Sequence, residues 1–151
     1  MEHHGRHTSL NRIALAATWH CLTGCAIGEI LGLAIATALG WGNVASIALA
    51  VVLAFFFGYL LTLRPLVTGG LPFRRAARIA LAADTVSIAV MEIVDNGFIL
   101  LVPGAMEAGL DDFLFWWSLG FGLFIAFWAA FPVNRALISR GRGHAVVHAH
   151  H

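Results

Sequence analysis

Four long apolar runs govern what this chain can fold into: residues 13–39, 44–63, 79–102 and 113–131. Each reaches or exceeds the roughly 18 residues that a helix needs to cross the hydrocarbon of a bilayer. Run 44–63 has almost no polar side chain, so it cannot turn a wet face to water. Charged residues make up only 11% of the chain, against about 25% in soluble domains. These observations predict an all-α membrane protein of four transmembrane helices in a compact bundle, multi-pass in the cytoplasmic (inner) membrane, with the lipid bilayer as its first partner. No removable signal peptide is expected, because the first run is too long for an h-region.

Charge sets the expected orientation. All basic residues are arginines: Arg6 and Arg12 before the first run, Arg64, Arg74, Arg75 and Arg78 between the second and third, and Arg135, Arg140 and Arg142 after the fourth. The other two connections carry none, and the last, PGAMEAGLDD, is acidic. The positive-inside rule then puts both termini in the cytoplasm. The domain reading is a His-containing tail over 1–12, a helical domain over 13–134 and an Arg/His-rich tail over 135–151. Segment 64–78, punctuated by Pro65, Gly69, Gly70 and Pro72, is expected as a cytoplasmic loop, and helix 4 is expected to end near Pro132. Helix 2, with Phe55, Phe56 and Phe57, is expected to face lipid, and Trp41, Tyr59, Trp116, Trp117 and Trp128 to anchor at span ends.

Ionisable residues inside a span are functional candidates, since a charge at mid-bilayer costs about 2.5–3.5 kcal/mol even on lenient scales. Here they fall on helices 1 and 3. In WHCLTGCAIGE, Cys21, Cys25 and Glu29 sit at roughly 0°, 40° and 80° around the helix, one narrow face flanked by His20. Gly24, Gly28 and Gly32 form an overlapping GxxxGxxxG stripe where another backbone can come close, within the chain or in a homo-oligomer. Whatever packs on the glycines is expected to meet the thiols too. In ADTVSIAVMEIVDN, Asp84, Met91, Glu92 and Asp95 again share a face, with Asn96 beside them. Counted from the cytoplasmic ends, Glu29 and Glu92 are level within about one turn.

The spans contain four carboxyls and no arginine or lysine. Compensation must come from protonation, from water in a cavity, or from a bound cation. Thiols with imidazole and a thioether suit Cu(I) or Zn(II), so Cys21, Cys25, Glu29, His20, Met91 and Glu92 are the candidate metal ligands. Asp84, Asp95 and Asn96 are assigned to a proton or cation pathway. The cysteines are expected free, because an i, i+4 pair on one helix is poorly placed for a disulfide. His144, His148, His150 and His151, with His3, His4 and His7 at the other terminus, are candidate metal-capturing tails.

At HCLTGCAIGE, MEIVDN and FPVNRALISRGRGHAVVHAHH the chain resembles a bacterial integral membrane family of unknown function, domain of unknown function 4396. The resemblance covers nearly all of the chain. It implies a small multi-span protein with the pattern His20, Cys21, Cys25 and Glu29 in its first helix, and it implies no established activity.

The functional expectation is an intramembrane site that binds or transports copper or zinc. The alternatives are proton-coupled transport of a small cation or drug, and a haem-binding or structural subunit. Haem would require two copies meeting at His20, the only histidine within a span. No P-loop, nucleophile elbow or HExxH is present, so no enzymatic activity is expected. The arginines are explained by topology and anionic lipid, not by nucleic acid.

Overall fold

The computed structural model describes residues 2–139, with side chains described from Leu10 onward. Four helices follow one another: α1 (Glu2–Ala38), α2 (Asn43–Thr68), α3 (Phe73–Leu101) and α4 (Phe113–Ser139). Three of them, α1, α2 and α4, are long and apolar enough to cross a membrane. The class is therefore all-α and the character that of a membrane protein. Large apolar side chains such as Val52, Phe56, Ile93, Phe124 and Trp128 lie exposed around the outside, an apolar surface that water would not tolerate.

The helices run longer than the apolar runs; α1 and α2 stop at glycines, and α3 ends at Leu101, just before Pro103. At the end of α1, Trp41 N–H donates to the Ala36 carbonyl and Gly40 N–H to that of Thr37, while Gly40 takes φ +69°. At the end of α2, Leu71 and Gly70 repeat the pattern on Leu66 and Val67, with Gly70 at φ +99°. This is the Schellman arrangement, which needs a left-handed residue and so selects glycine. Pro65 and Pro132 lie inside α2 and α4. That corrects two expectations: segment 64–78 is mostly helix around a four-residue link, and α4 continues seven residues past Pro132. A proline removes one N–H but need not end a helix that is packed along its length.

The helices form a ring in chain order. α1 packs on α2 and α4, α3 packs on the same two, and α1 and α3 touch across the middle. The α1–α2 seam is built from small residues on both sides. A methyl group added at Gly24 would meet Gly58, at Gly28 Ala54, and at Gly32 Ala50. The partners descend as the glycines ascend, so this is one antiparallel register. On α2 the buried residues Ser46, Ala50, Ala54, Gly58, Thr62 and Leu66 recur every fourth position, a row of the kind that packs helix on helix. Helix 2 thus turns its small residues to α1 and large ones such as Val52 and Phe56 outward. The Gly stripe is filled by α2 of the same chain, so a homo-oligomer would have to use another face.

Candidate functional site

Because the helices alternate in direction, the exposed arginines Arg12, Arg64, Arg74, Arg75 and Arg78 gather at one end of the bundle. Glu107, Asp111 and Asp112 lie exposed at the other. Between these ends α1 and α3 run parallel, with their polar faces turned toward each other. The glycine and thiol stripes overlap as expected: α2 packs on the glycines and, through Ala54, joins the thiols' cluster, while α3 meets Cys21 from the other side.

The layer nearer the arginine end holds Cys21, Asp84 and Ser87, all essentially sealed from the surface. Ser87 Oγ donates to Cys21 Sγ at 3.3 Å, and the Cys21 thiol points to Asp84 Oδ1 at 3.9 Å. One turn deeper, Cys25 lies buried near Glu92. Asn96 fixes Glu92, donating from Nδ2 to its Oε2 at 3.1 Å and to its backbone carbonyl at 2.9 Å. Beyond that, Glu29 lies near the carboxyls of Asp95 and Glu92. Both cysteines are free thiols, and they share a buried cluster with Met91, Ile88, Ala126 and Ala130.

Glu29 and Asp95 are each 1% exposed. Among the described residues, neither has a donor for either carboxyl oxygen, and Glu92 Oε1 also lacks one. Ionised carboxylates cannot hydrogen-bond one another, because each only accepts. A proton or a cation between them turns repulsion into attraction, and without one the burial is costly.

The remaining sequence candidates fall in different places. His20 turns to α2, where Nε2 lies 3.1 Å from Thr62 Oγ1. Among the described residues no three His, Cys, Asp or Glu side chains converge as the ligands of a metal ion would. His144, His148, His150 and His151 lie outside the described residues, as do the side chains of His3, His4 and His7.

Several contributors were not singled out from the sequence. Ser87 sits three residues after Asp84, where a helix returns to the same face. On α4, Ser118, Gly122, Ala126, Ala130 and Asn134 are buried at four-residue intervals. Gly122 is placed so that a methyl group there would overlap the Asp95 carboxyl. Asn134 donates to Thr18 Oγ1 at 2.9 Å, joining α4 to α1 near the arginine end. The signal for these residues was the four-residue spacing of small side chains in an otherwise bulky helix.

The sequence profile of the family described as Domain of unknown function (DUF4396) matches residues 11–143. The chain belongs to this family. The match spans the whole polar seam, from Asn11 within α1 past Ser139, so the thiols and carboxyls lie inside the matched stretch. No curated protein and no solved structure matches the chain.

Proposed function

We propose that this chain is a four-span protein of the cytoplasmic membrane, with its arginine-bearing end in the cytoplasm, that binds and conducts a cation along the α1–α3 seam. The observation that carries this reading is the triad Glu29, Glu92 and Asp95, buried together with donorless oxygens. The proton is the cation these groups favour, since buried carboxyl oxygens without a donor are relieved of their cost by protonation. Cys25 and the Ser87–Cys21–Asp84 chain extend the same line toward the arginine end.

That α3 is the fourth span is supported by its length and company. Its 29 residues would extend about 43 Å, and it packs between α2 and α4, which are apolar enough to cross. Its carboxyls face inward, the arrangement by which membrane helices carry acids.

A second reading is copper or zinc passage, favoured by one observation: Cys21, Cys25 and Met91 belong to a single buried cluster beside Glu92. The ligands would have to close around the ion from their present positions.

Both readings are tested on purified protein in liposomes. The expected result is proton flux, followed with an internal pH-sensitive dye, that collapses in Glu29→Gln. Flux no greater than in protein-free liposomes overturns the proton reading. Elemental analysis of the purified chain and of Cys21→Ser/Cys25→Ser decides the second: copper or zinc lost with the thiols supports it, and protein that cannot be loaded overturns it.

A further inference from the structure

A cavity of about 90 Å³ opens at the acidic end, bounded by α1, α2, the 102–112 connection and α4. Its mouth carries Thr37, Trp41 and Asn43, and its wall carries Ser46 and Ser118. Ser118 is 1% exposed, and among the described residues its hydroxyl has no hydrogen-bond partner. A buried hydroxyl in that condition is costly unless something in the cavity bonds it.

The floor of this cavity lies directly over the carboxyl triad. Leu33, Ile99 and Ser118 line it, from three different helices. Leu33 follows Glu29 by one turn on α1, and Ile99 follows Asp95 by one turn on α3. Ser118 precedes Gly122 by one turn on the antiparallel α4, and Gly122 is the residue against which the Asp95 carboxyl lies. Each helix therefore places its cavity residue about 6 Å toward the acidic end from its cluster residue. The roof is tied down as well. Trp116 Nε1 donates to the Leu110 carbonyl at 2.7 Å, and Asp112 Oδ1 caps α4 by accepting from Leu114 N–H at 3.0 Å.

We propose that this cavity is a water-filled vestibule through which protons reach Asp95 and Glu29 from the acidic side, with the Ser118 hydroxyl linking its water to the carboxyls. This rests on the cation-pathway reading and adds to it the open end, the route and the size of what passes. Water occupies roughly 30 Å³ per molecule in the liquid, so the space holds only a few waters, enough for a hydrogen-bonded file. It is far below the 300–1,000 Å³ or so of a pocket for a drug-sized ligand, which excludes an organic cation by this route. The exposed Glu107, Asp111 and Asp112 at the same end would raise the local cation concentration at the mouth.

The test combines labelling with flux. Ser118→Cys, in liposomes, is exposed to a small cationic methanethiosulfonate, with the wild-type chain as the blank because its own buried thiols do not line this cavity. Ser46→Cys serves as a second cavity position, and lipid-facing Ile93→Cys as the control. Labelling of Ser118→Cys and Ser46→Cys but not Ile93→Cys is expected. A Ser118→Cys protein as unreactive as wild type, beside a reactive Asn43→Cys at the mouth, overturns the vestibule. In the flux assay, Ser118→Leu is expected to lower proton flux about tenfold or more, the scale of one lost buried hydrogen bond. Wild-type flux that survives Ser118→Leu but not Glu29→Gln overturns the route and upholds the function. Labelling of Ser118→Cys in a chain with no flux does the reverse: it upholds a hydrated cavity and overturns the function.

Discussion

The carboxyl of Asp95 on α3 lies against the bare backbone of Gly122 on α4, where even a methyl group would overlap it. The glycine thus serves as a socket for a buried acid. Gly122→Ala should destabilise the bundle by about 1–3 kcal/mol, the usual cost of overpacking a tight core. In an Asp95→Ala background most of that cost should vanish, because the atom being struck is gone. Melting of the four proteins in detergent gives the coupling, expected at about 0.5–3 kcal/mol for residues in contact. Additive effects would show that Gly122 does not hold Asp95.

The glycines of this chain divide sharply by what surrounds them. At Gly28 an added methyl group would strike the Ala54 and Leu53 backbone, which cannot turn aside as a side chain can. Gly28→Ala should therefore push α1 and α2 apart and lower stability by about 1–3 kcal/mol. At Gly120 nothing lies within 4 Å, and there alanine should stabilise by about 0.5–1 kcal/mol through helix propensity alone. Opposite shifts in melting temperature from the same substitution, two helices apart, check the seam. Equal shifts would mean that α1 and α2 do not meet at these residues.

Asn96 holds Glu92 through two bonds from one nitrogen. Asn96→Leu removes both and leaves Glu92 with one donor fewer, at a cost of about 1.5–3 kcal/mol if the carboxyl is ionised. Asn96→Asp replaces the donor with an acceptor facing Glu92 and should be worse. The readout is the carboxyl region of the infrared spectrum, where the Glu92 band should move in both variants. An unchanged band would detach Asn96 from the site.

The helices and the acid faces were legible because both follow from single-helix geometry. Length and hydropathy mark the spans, and about 100° per residue places Cys21, Cys25 and Glu29 on one side. Counting depth along parallel helices brought Glu29 level with Glu92, and the two do meet. The division of labour was not legible. A face about 100° wide can touch two neighbours, so angle alone could not say that α2 packs on Gly24, Gly28 and Gly32 while the thiols meet α3 as well as Ala54 of α2. His20 lay at the edge of that face, and its pairing with Thr62 depended on which helix stood beside it. Ser118 and Gly122 escaped notice for a related reason: neither is ionisable, and their part appears only against a cavity and a carboxyl supplied by other helices.

Cys21 separates the two cation readings. Its sulfur accepts from Ser87 and its thiol points to Asp84, so its place in a proton chain needs only an atom that can both give and take a hydrogen bond. Cys21→Ser keeps that ability and loses the soft ligand. Cys21→Val keeps the volume and loses the ability, leaving the buried Ser87 hydroxyl without its acceptor at a cost of about 1–3 kcal/mol. For a proton pathway, flux should persist in Cys21→Ser and fall in Cys21→Val. A copper or zinc pathway should lose metal in both, because a hydroxyl does not replace a thiolate for a soft ion. Liposome flux measured with protons and with each metal, on the same two variants, separates the readings: the variants differ under the first and fail alike under the second. Proton flux lost equally in both would remove Cys21 from a hydrogen-bonded chain.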